Sequence, residues 1–174
     1  EKKEKKRNPV PPFITSTLQQ EASRHYGFSV ARTMNIAQGL YEGIDMGPDG
    51  TEGLITYMRT DSVNIAPEAI SNARKYILNQ FGQEYLPDQP KIYASKKTAQ
   101  EAHEGIRPTN LSRDPERIRQ YLSIDEHKLY LLIWRRFIAS QMNPAIYDMT
   151  VVDFDLGRYL LRTRGDDEVT YPGR

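Results

Sequence analysis

The feature that most constrains the fold is a long amphipathic segment, residues 123–142, with the sequence SIDEHKLYLLIWRRFIASQM. Its apolar residues recur at the spacing of one face of an α-helix, as at Leu129, Leu132, Ile133 and Phe137. Ser123 and Glu126 have the spacing of a capping box, and Asn143-Pro144 predicts the end of the helix. We therefore expect a fold that is mainly α.

Two more helices are predicted near the beginning of the chain. Ser16 is the expected cap of a helix TLQQEASRHY that ends at Gly27, and Ser29 is the expected cap of a second, VARTMNIAQGLYE. Because few residues join them, these helices should form an αα-hairpin, which resembles a DNA-reading helix-turn-helix superficially.

A third helix is predicted after residue 62, with Pro67 in its first turn and Gly82 at its end. Ser62 or Asn64 would be its N-cap. A shorter helix is expected to start near Asp114, where Pro115 would be its first residue.

Two stretches favour extended structure. Residues 53–57, GLITY, are too short for a helix and suit a strand or extended segment that enters the core. Residues 147–156, YDMTVVDFDL, alternate with a period of two, and a glycine turn separates them from 158–165, RYLLRTRG. This pattern predicts a β-hairpin, and because a lone hairpin is marginally stable, we expect its remaining sheet to lie outside this chain.

The first twelve residues differ from the rest in composition. Residues 1–7, EKKEKKR, are almost all charged, and residues 8–12, NPVPP, are rich in proline. We interpret 1–12 as a solvated linker or hinge, 13–147 as the helical domain, and 148–174 as part of an adjoining β domain. The sequence also lacks an initiator methionine, and we expect an excised fragment.

Composition narrows the class of protein further. There is no cysteine, so disulfides and thiolate metal sites are excluded, which fits a reducing compartment. Lys and Arg number 24 against 23 Asp and Glu, and the total neither favours nor opposes a polyanionic partner. No apolar run approaches the roughly 18 residues of a membrane span, so we expect no membrane association.

Residues 53–62, GLITYMRTDS, place Tyr57 at the end of an apolar run with Arg59 close behind it. A phenol is about one-thousandth ionised at neutral pH, so attack on phosphorus requires a base or a positive environment. Arg59 supplies a permanent planar charge that suits phosphate oxygens. Spacing alone nevertheless favours a half-buried core tyrosine, which is the usual state for any one of the 11 tyrosines.

The segment LITYMRTDS closely resembles the active-site segment of type IA DNA topoisomerases. Four further segments are similar to segments of that family and stand in the expected order: PPFITSTLQQEAS, AQGLYEGIDMG, QEAHEGIRPT and LYLLIWRRFIASQM. The resemblance runs from about Pro11 to Tyr147. Met58, after the tyrosine, favours the bacterial topoisomerase I branch over reverse gyrase and topoisomerase III.

The resemblance implies that Tyr57 is the nucleophile that opens one DNA strand and becomes linked to its 5′ phosphate. Arg59 would position the scissile phosphate and stabilise it together with the phenolate. Thr60, Asp61 and Ser62 would support the site by holding the loop and capping the next helix. The implied activity is ATP-independent breakage, strand passage and rejoining of single-stranded DNA, which relaxes negatively supercoiled DNA.

A second cluster, QEAHEGIRP, contains His103, two glutamates and Arg107. Zinc is disfavoured because Arg107 stands where a metalloprotease helix needs its second histidine. Without the family resemblance, the usual interpretation of His103 is a loop histidine that is hydrogen-bonded to a neighbouring carboxylate. The resemblance makes it an active-site residue near the phosphate and leaves Arg107 either a DNA contact or a brace. Lys96 and Lys97 suit phosphate contacts, although exposed lysine pairs are usually only solvated.

Asp153 and Asp155 form a D-x-D pair that mimics a magnesium motif. In the family it resembles, magnesium is held by D-x-D followed by Glu on a separate TOPRIM domain, which precedes the tyrosine segment. Here Gly157 replaces the glutamate and the order is reversed, so we interpret the aspartates as exposed strand positions. We expect no metal site in this chain, Mg²⁺ bound elsewhere in the full-length enzyme, and an isolated chain that folds but is inactive.

The implied partners are a single-stranded segment of negatively supercoiled DNA and the other domains of the same polypeptide, in a monomeric, cytoplasmic, nucleoid-associated enzyme. Residues 13–147 would act as a lid hinged at 8–12 and 143–148, with 148–174 in an arch domain. The alternative is a non-catalytic DNA-binding module built on the helical hairpin 16–42, which predicts duplex binding that is indifferent to Tyr57→Phe.

Overall fold

The computed structural model describes residues 2–93, 103–155 and 157–168. Within these residues the chain forms four α-helices and two small antiparallel sheets. The helices are α1 (Thr15–Tyr26), α2 (Val30–Glu42), α3 (Pro67–Phe81) and α4 (Ile124–Ser140). The strands are β1 (Lys2–Arg7), β2 (Ile44–Asp45), β3 (Thr51–Glu52), β4 (Ala145–Asp155) and β5 (Leu160–Glu168).

Two of the predicted helix caps are confirmed. The hydroxyl of Ser29 accepts a hydrogen bond from the Arg32 N–H at the start of α2. At the start of α4, Ser123 and Glu126 form a reciprocal capping box, in which each side chain accepts from the other residue's backbone N–H. Gly27 also ends α1 as predicted, in the left-handed conformation with φ 66°.

The predicted caps of α1 and α3 are wrong. Helix α1 begins at Thr15 rather than after Ser16, and the hydroxyl of Thr17 accepts the hydrogen bond from the Ile14 N–H.

Pro67 is the first residue of α3, as expected, but its N-cap is Ala66, and neither Ser62 nor Asn64 caps it. The N–H of Ala66 donates instead to the carboxylate of Glu104, a partner distant in sequence.

The short helix expected from Asp114 is a series of turns that ends in a 3₁₀-helix at Arg119–Tyr121. The carbonyl of Asp114 accepts from the Ile118 N–H, and its carboxylate accepts from the Glu116 N–H. These two contacts have the pattern of a helix N-cap followed by one turn, and the chain continues that turn only as the 3₁₀-helix.

The charged run at the beginning of the chain, interpreted from the sequence as a solvated linker, is a β-strand instead. Lys2–Arg7 forms β1, antiparallel to β4, with Lys2 opposite Thr150 and Arg7 opposite Ala145. The charges of this run predict solvent-exposed side chains, and the side chains of residues 4–7 are exposed. Its backbone, however, forms hydrogen bonds with the edge of β4. The β4–β5 hairpin is confirmed, with Gly157 (φ 75°) between the strands. One further strand of its sheet therefore lies within this chain.

The segment 53–57 is extended but is not a regular strand. Leu54 and Ile55 are fully buried, and Ile55 forms one isolated antiparallel bridge with Pro108. The N–H of Leu54 donates to the Leu40 carbonyl at 2.7 Å, which ties this segment to the end of α2. The surrounding core draws on all four helices, including Leu18, Leu40, Ile77 and Phe137.

Candidate active site

Tyr57 is half-buried between two other rings. The ring of Tyr41, from the last turn of α2, lies edge-on to it with centroids 5.3 Å apart and an interplanar angle of 63°. The ring of His103 lies 5.2 Å from it at 44°. The sequence predicts an active-site role for His103 through the family resemblance but none for Tyr41. The only available signal was that Tyr41 lies in the family-like segment AQGLYEGIDMG.

The residues around His103 run alongside the tyrosine segment, and Thr56 joins the two. Its N–H donates to the Arg107 carbonyl at 2.9 Å, and its hydroxyl donates to the Gly105 carbonyl at 2.8 Å. The same hydroxyl accepts from the Arg107 N–H at 3.0 Å. The residue beside the tyrosine therefore sets where the histidine segment, residues 103–109, lies.

The histidine segment is also attached to the residues before α1. The N–H of Ile106 donates to the Phe13 carbonyl at 2.8 Å, in an isolated bridge between these two buried residues. The guanidinium of Arg136, from α4, lies 4.3 Å over the ring of Phe13. Burial lowers the pKa of Arg136, and the nearby carboxylate of Glu21 partly offsets that shift.

Arg59 extends into solvent between two anchored neighbours. The side chain of Met58 is fully buried and that of Thr60 is 8% exposed, whereas Arg59 is exposed. Within the part of the chain that the structure describes, the guanidinium of Arg59 has no hydrogen-bond or ion-pair partner. A fixed backbone with a free cation is an arrangement able to receive an anion such as a phosphate.

The residues after Arg59 form a loop rather than a helix start. Asp61 is exposed and Ser62 is fully buried. The hydroxyl of Thr60 accepts from the Ser62 N–H at 3.1 Å, and the Ser62 hydroxyl accepts from the Asn64 N–H at 3.2 Å. Because α3 begins only at Pro67, the capping role predicted for Asp61 and Ser62 is wrong.

Arg107 is engaged by its own segment. Its guanidinium donates to the Glu104 carboxylate at 2.6 and 2.9 Å and to the Pro108 carbonyl at 3.0 Å, and its side chain is only 15% exposed. Since Glu104 also accepts from the Ala66 N–H, the pair braces the histidine segment against the start of α3. Sequence analysis did not assign Glu104 this role. Lys96 and Lys97 lie outside the described residues.

The two C-terminal aspartates do not fit a magnesium site. The Asp153 carboxylate is held by the Arg162 guanidinium at 2.6 and 3.0 Å, and that of Asp155 accepts from the Gly157 N–H at 3.0 Å. Among the described residues, no group of three or more His, Asp or Glu side chains is close enough to hold a metal ion. None of the helices described is both long and apolar enough to cross a membrane.

A half-buried tyrosine beside a histidine and an arginine that has no partner among the described residues defines a candidate site for nucleophilic attack on a phosphodiester. A family model described as DNA topoisomerase matches residues 1–171. The chain belongs to this family, as a bacterial type IA topoisomerase member, which confirms the resemblance seen in the sequence.

Individual relatives agree with this assignment. DNA topoisomerase 1 of Xylella fastidiosa is 55% identical over 165 residues, which cover 94% of this chain and 20% of that protein. DNA topoisomerase 1 of Campylobacter jejuni is 58% identical over 147 residues, covering 84% and 21%. The full-length topoisomerase I structure from Thermotoga maritima superposes with a TM-score of 0.80 at 43% identity, covering 97% of this chain and 27% of that one. The chain thus spans about a fifth of the length of its curated relatives.

Proposed function

We propose that this chain carries the cleavage tyrosine of a type IA topoisomerase I, an enzyme that breaks, passes and rejoins single-stranded DNA without ATP and relaxes negatively supercoiled DNA. The observation that carries this proposal is Tyr57 packed against His103 and followed by Arg59, which is exposed and has no partner in the described ranges. Relatives that match nearly the whole of this chain are named DNA topoisomerase 1.

In the proposed reaction the phenolic oxygen of Tyr57 attacks the scissile phosphorus. The bond from phosphorus to the 3′ oxygen breaks, a bond to the tyrosine oxygen forms, and the phenolic proton is transferred to the leaving 3′ oxygen. One phosphoester replaces another, so the reverse attack by the 3′ hydroxyl rejoins the strand with no other energy source. Because the energy of the broken phosphoester is retained in the new one, the proposed reaction needs no ATP.

Arg59 and His103 have different parts in this proposal. Charge develops on the non-bridging oxygens of the phosphate, and a guanidinium with no competing carboxylate stabilises it there. His103 contacts the phosphate region or tunes protonation beside the phenol. Arg107 is braced by Glu104, which supports a role in holding the segment; a DNA contact by Arg107, Lys96 or Lys97 belongs to the proposal as well.

For magnesium, we propose a site in the whole enzyme that lies outside the described part of this chain. Asp153 and Asp155 are committed to local partners, so the ion would be held by residues outside the chain. When bound, Mg²⁺ would offset negative charge around the cleaved phosphate. The other domains of the polypeptide and a single DNA strand are the proposed partners, in a monomeric enzyme of the cytoplasm at the nucleoid.

The proposed movement is that of a lid. Residues 13–147 would close Tyr57 onto a bound strand and then swing away with the cut end, bending at 8–12 and at 143–144. The remainder of the predicted hinge 143–148 is the start of β4, which is paired with β1. The pairing of β1 with β4, with Arg7 opposite Ala145, supports this because both connections lead into one sheet. That sheet would belong to the arch domain predicted for 148–174.

The proposal is tested with the full-length enzyme, Mg²⁺ and a single-stranded oligonucleotide labelled at its 3′ end. After denaturation, a labelled protein band is expected for the unmodified enzyme and for Tyr121→Phe, which alters a partly buried tyrosine outside the site. The band should be absent for Tyr57→Phe. A band that persists in Tyr57→Phe would overturn the assignment. Duplex binding without any covalent band would favour the DNA-binding module instead.

A further inference from the structure

Arg59 can act on a phosphate only if its backbone is held in one place, and the contacts that hold it come from outside its own segment. The neighbouring side chains of Met58 and Thr60 are anchored in the core. The backbone polar groups of these neighbours are buried with them and need partners. One residue, Thr15, supplies partners for the Met58 carbonyl and for both the N–H and the carbonyl of Thr60.

Thr15 contacts the backbone on both sides of Arg59. Its N–H donates to the Thr60 carbonyl at 3.0 Å. Its hydroxyl accepts from the Thr60 N–H at 2.9 Å and donates to the Met58 carbonyl at 2.7 Å, with the Thr60 carbonyl further away at 3.1 Å. The start of α1 and the arginine loop, residues 58–62, are thereby joined through a single residue, by its backbone N–H and its hydroxyl.

The chemistry of this contact requires a hydroxyl. A hydroxyl donates one hydrogen bond and accepts others at the same time, whereas a valine of the same shape does neither. Thr15 is the first residue of α1, where the backbone N–H has no partner within the helix, so the contact to Thr60 also satisfies that group.

We propose that Thr15 is a positioning residue for DNA cleavage, which aligns Arg59 with the scissile phosphate by holding the backbone of Met58 and Thr60. This inference rests on the proposed function of Tyr57 and Arg59. Thr15 does not contact the phosphate. Loss of its hydroxyl slows the chemical step because the guanidinium moves relative to the phenol, while DNA affinity is little changed.

Thr17 is the matched control, because it lies in the same first turn of α1. Its hydroxyl accepts from the Ile14 N–H at 3.0 Å and donates to the Ile14 carbonyl at 3.2 Å, and both partners precede the helix. Thr17→Val therefore disturbs the start of α1 without removing a contact to the arginine loop. Thr15→Ser keeps the hydroxyl and is the conservative variant.

The experiment measures single-turnover formation of the covalent adduct by the full-length enzyme at saturating enzyme concentration, with thermal unfolding of each variant measured in parallel. DNA affinity is measured separately in a Tyr57→Phe background. Thr15→Val is expected to slow adduct formation by roughly 10- to 100-fold, the scale of a small misplacement at a reacting centre. Thr15→Ser and Thr17→Val should react at nearly the unmodified rate. If Thr15→Val does not fold, Thr15→Ala takes its place with the same expectation.

A second readout separates positioning from general destabilisation. If Thr15 acts through Arg59, the effects of Thr15→Val and Arg59→Lys on the cleavage rate should be less than additive. Full additivity, or equal slowing by Thr15→Val and Thr17→Val, would overturn this inference and leave the proposed function standing. An unmodified enzyme that forms no adduct would overturn the proposed function and this inference with it.

Discussion

The centroids of the Tyr57 and His103 rings lie 5.2 Å apart, with an interplanar angle of 44°. The two residues are distant in sequence, and helix α3 lies between them. The contact depends on Thr56, which holds the histidine segment by hydrogen bonds to Gly105 and Arg107. This contact packs an imidazole ring, with its two nitrogens, against the phenol ring.

The first prediction separates packing by His103 from its chemistry. His103→Phe keeps an aromatic ring beside Tyr57 but removes both nitrogens, and we expect cleavage by the full-length enzyme to slow by roughly 100-fold. The measurement is the initial rate of adduct formation. His25, which is exposed and contacts Glu21, supplies the control His25→Ala, expected to be neutral. Normal cleavage by His103→Phe would show that only the ring matters.

The second prediction contrasts Arg59 with Arg107, for which the sequence leaves open whether it contacts DNA or braces its segment. Arg59 is exposed and has no partner among the described residues, so Arg59→Ala should lower the cleavage rate by about 100-fold and leave thermal stability unchanged. Arg107 is paired with Glu104, so Arg107→Ala should lower the free energy of unfolding by about 1–3 kcal/mol. Calorimetry and cleavage assays on both variants check this. Equal stability loss in the two would contradict it.

The third prediction concerns the close approach of α2 to the tyrosine segment. A Cβ at Gly53 would lie 2.5 Å from the backbone carbonyl of Tyr41, so Gly53→Ala must displace one of them. We expect a loss of about 1–3 kcal/mol in stability, together with slower cleavage, because Tyr41 packs on Tyr57. Gly165→Ala is the control, since nothing lies within 4 Å of its Cβ position. A stable, active Gly53→Ala would contradict the packing described.

The fourth prediction is alkaline sensitivity of the core. Tyr130 is fully buried, and its hydroxyl donates to the Arg113 carbonyl at 2.8 Å. Burial raises the pKa of Tyr130 well above its ordinary value of 10.0, with Glu52 and Asp114 adding to the shift. Above pH 10 the folded state thus keeps a proton that the unfolded state loses, so the contribution of Tyr130 to stability should be constant below pH 10 and fall above it.

Thermal unfolding of this chain at a series of pH values tests that direction. Tyr130→Phe should be less stable at neutral pH by about 1 kcal/mol, because the Arg113 carbonyl loses its partner. Its stability should nevertheless fall less steeply with rising pH, because the buried hydroxyl that ionises in the unfolded state has been removed. An identical slope in both proteins would show that Tyr130 does not cause the alkaline loss.

Local signals predicted the parts of the fold that depend on neighbouring residues. The Ser123–Glu126 capping box and the Ser29 cap are satisfied within one helical turn, and the period of two in β4 and β5 gave the hairpin. The tyrosine segment was identified by its resemblance to a family rather than by its spacing, which alone favoured a core residue.

Contacts between distant residues account for what the sequence did not predict. Glu104 takes the place of a local cap at α3, and Thr15 uses its hydroxyl on the arginine loop instead of on its own helix. Lys2–Arg7 forms a strand because β4 offers a backbone edge, which its charges do not reveal. Each of these depends on a partner whose position is set only by the folded chain.

The most direct test of the account is to identify which residue becomes linked to DNA. The tyrosine adduct formed by the full-length enzyme is digested with nuclease and trypsin, and tandem mass spectrometry locates the nucleotide remnant. The tryptic peptide 33–59 contains both Tyr41 and Tyr57, whose rings touch, so the spectrum must distinguish them. We predict a remnant on Tyr57, joined through a 5′ phosphate. A remnant on Tyr41, or on any residue outside this peptide, would contradict it.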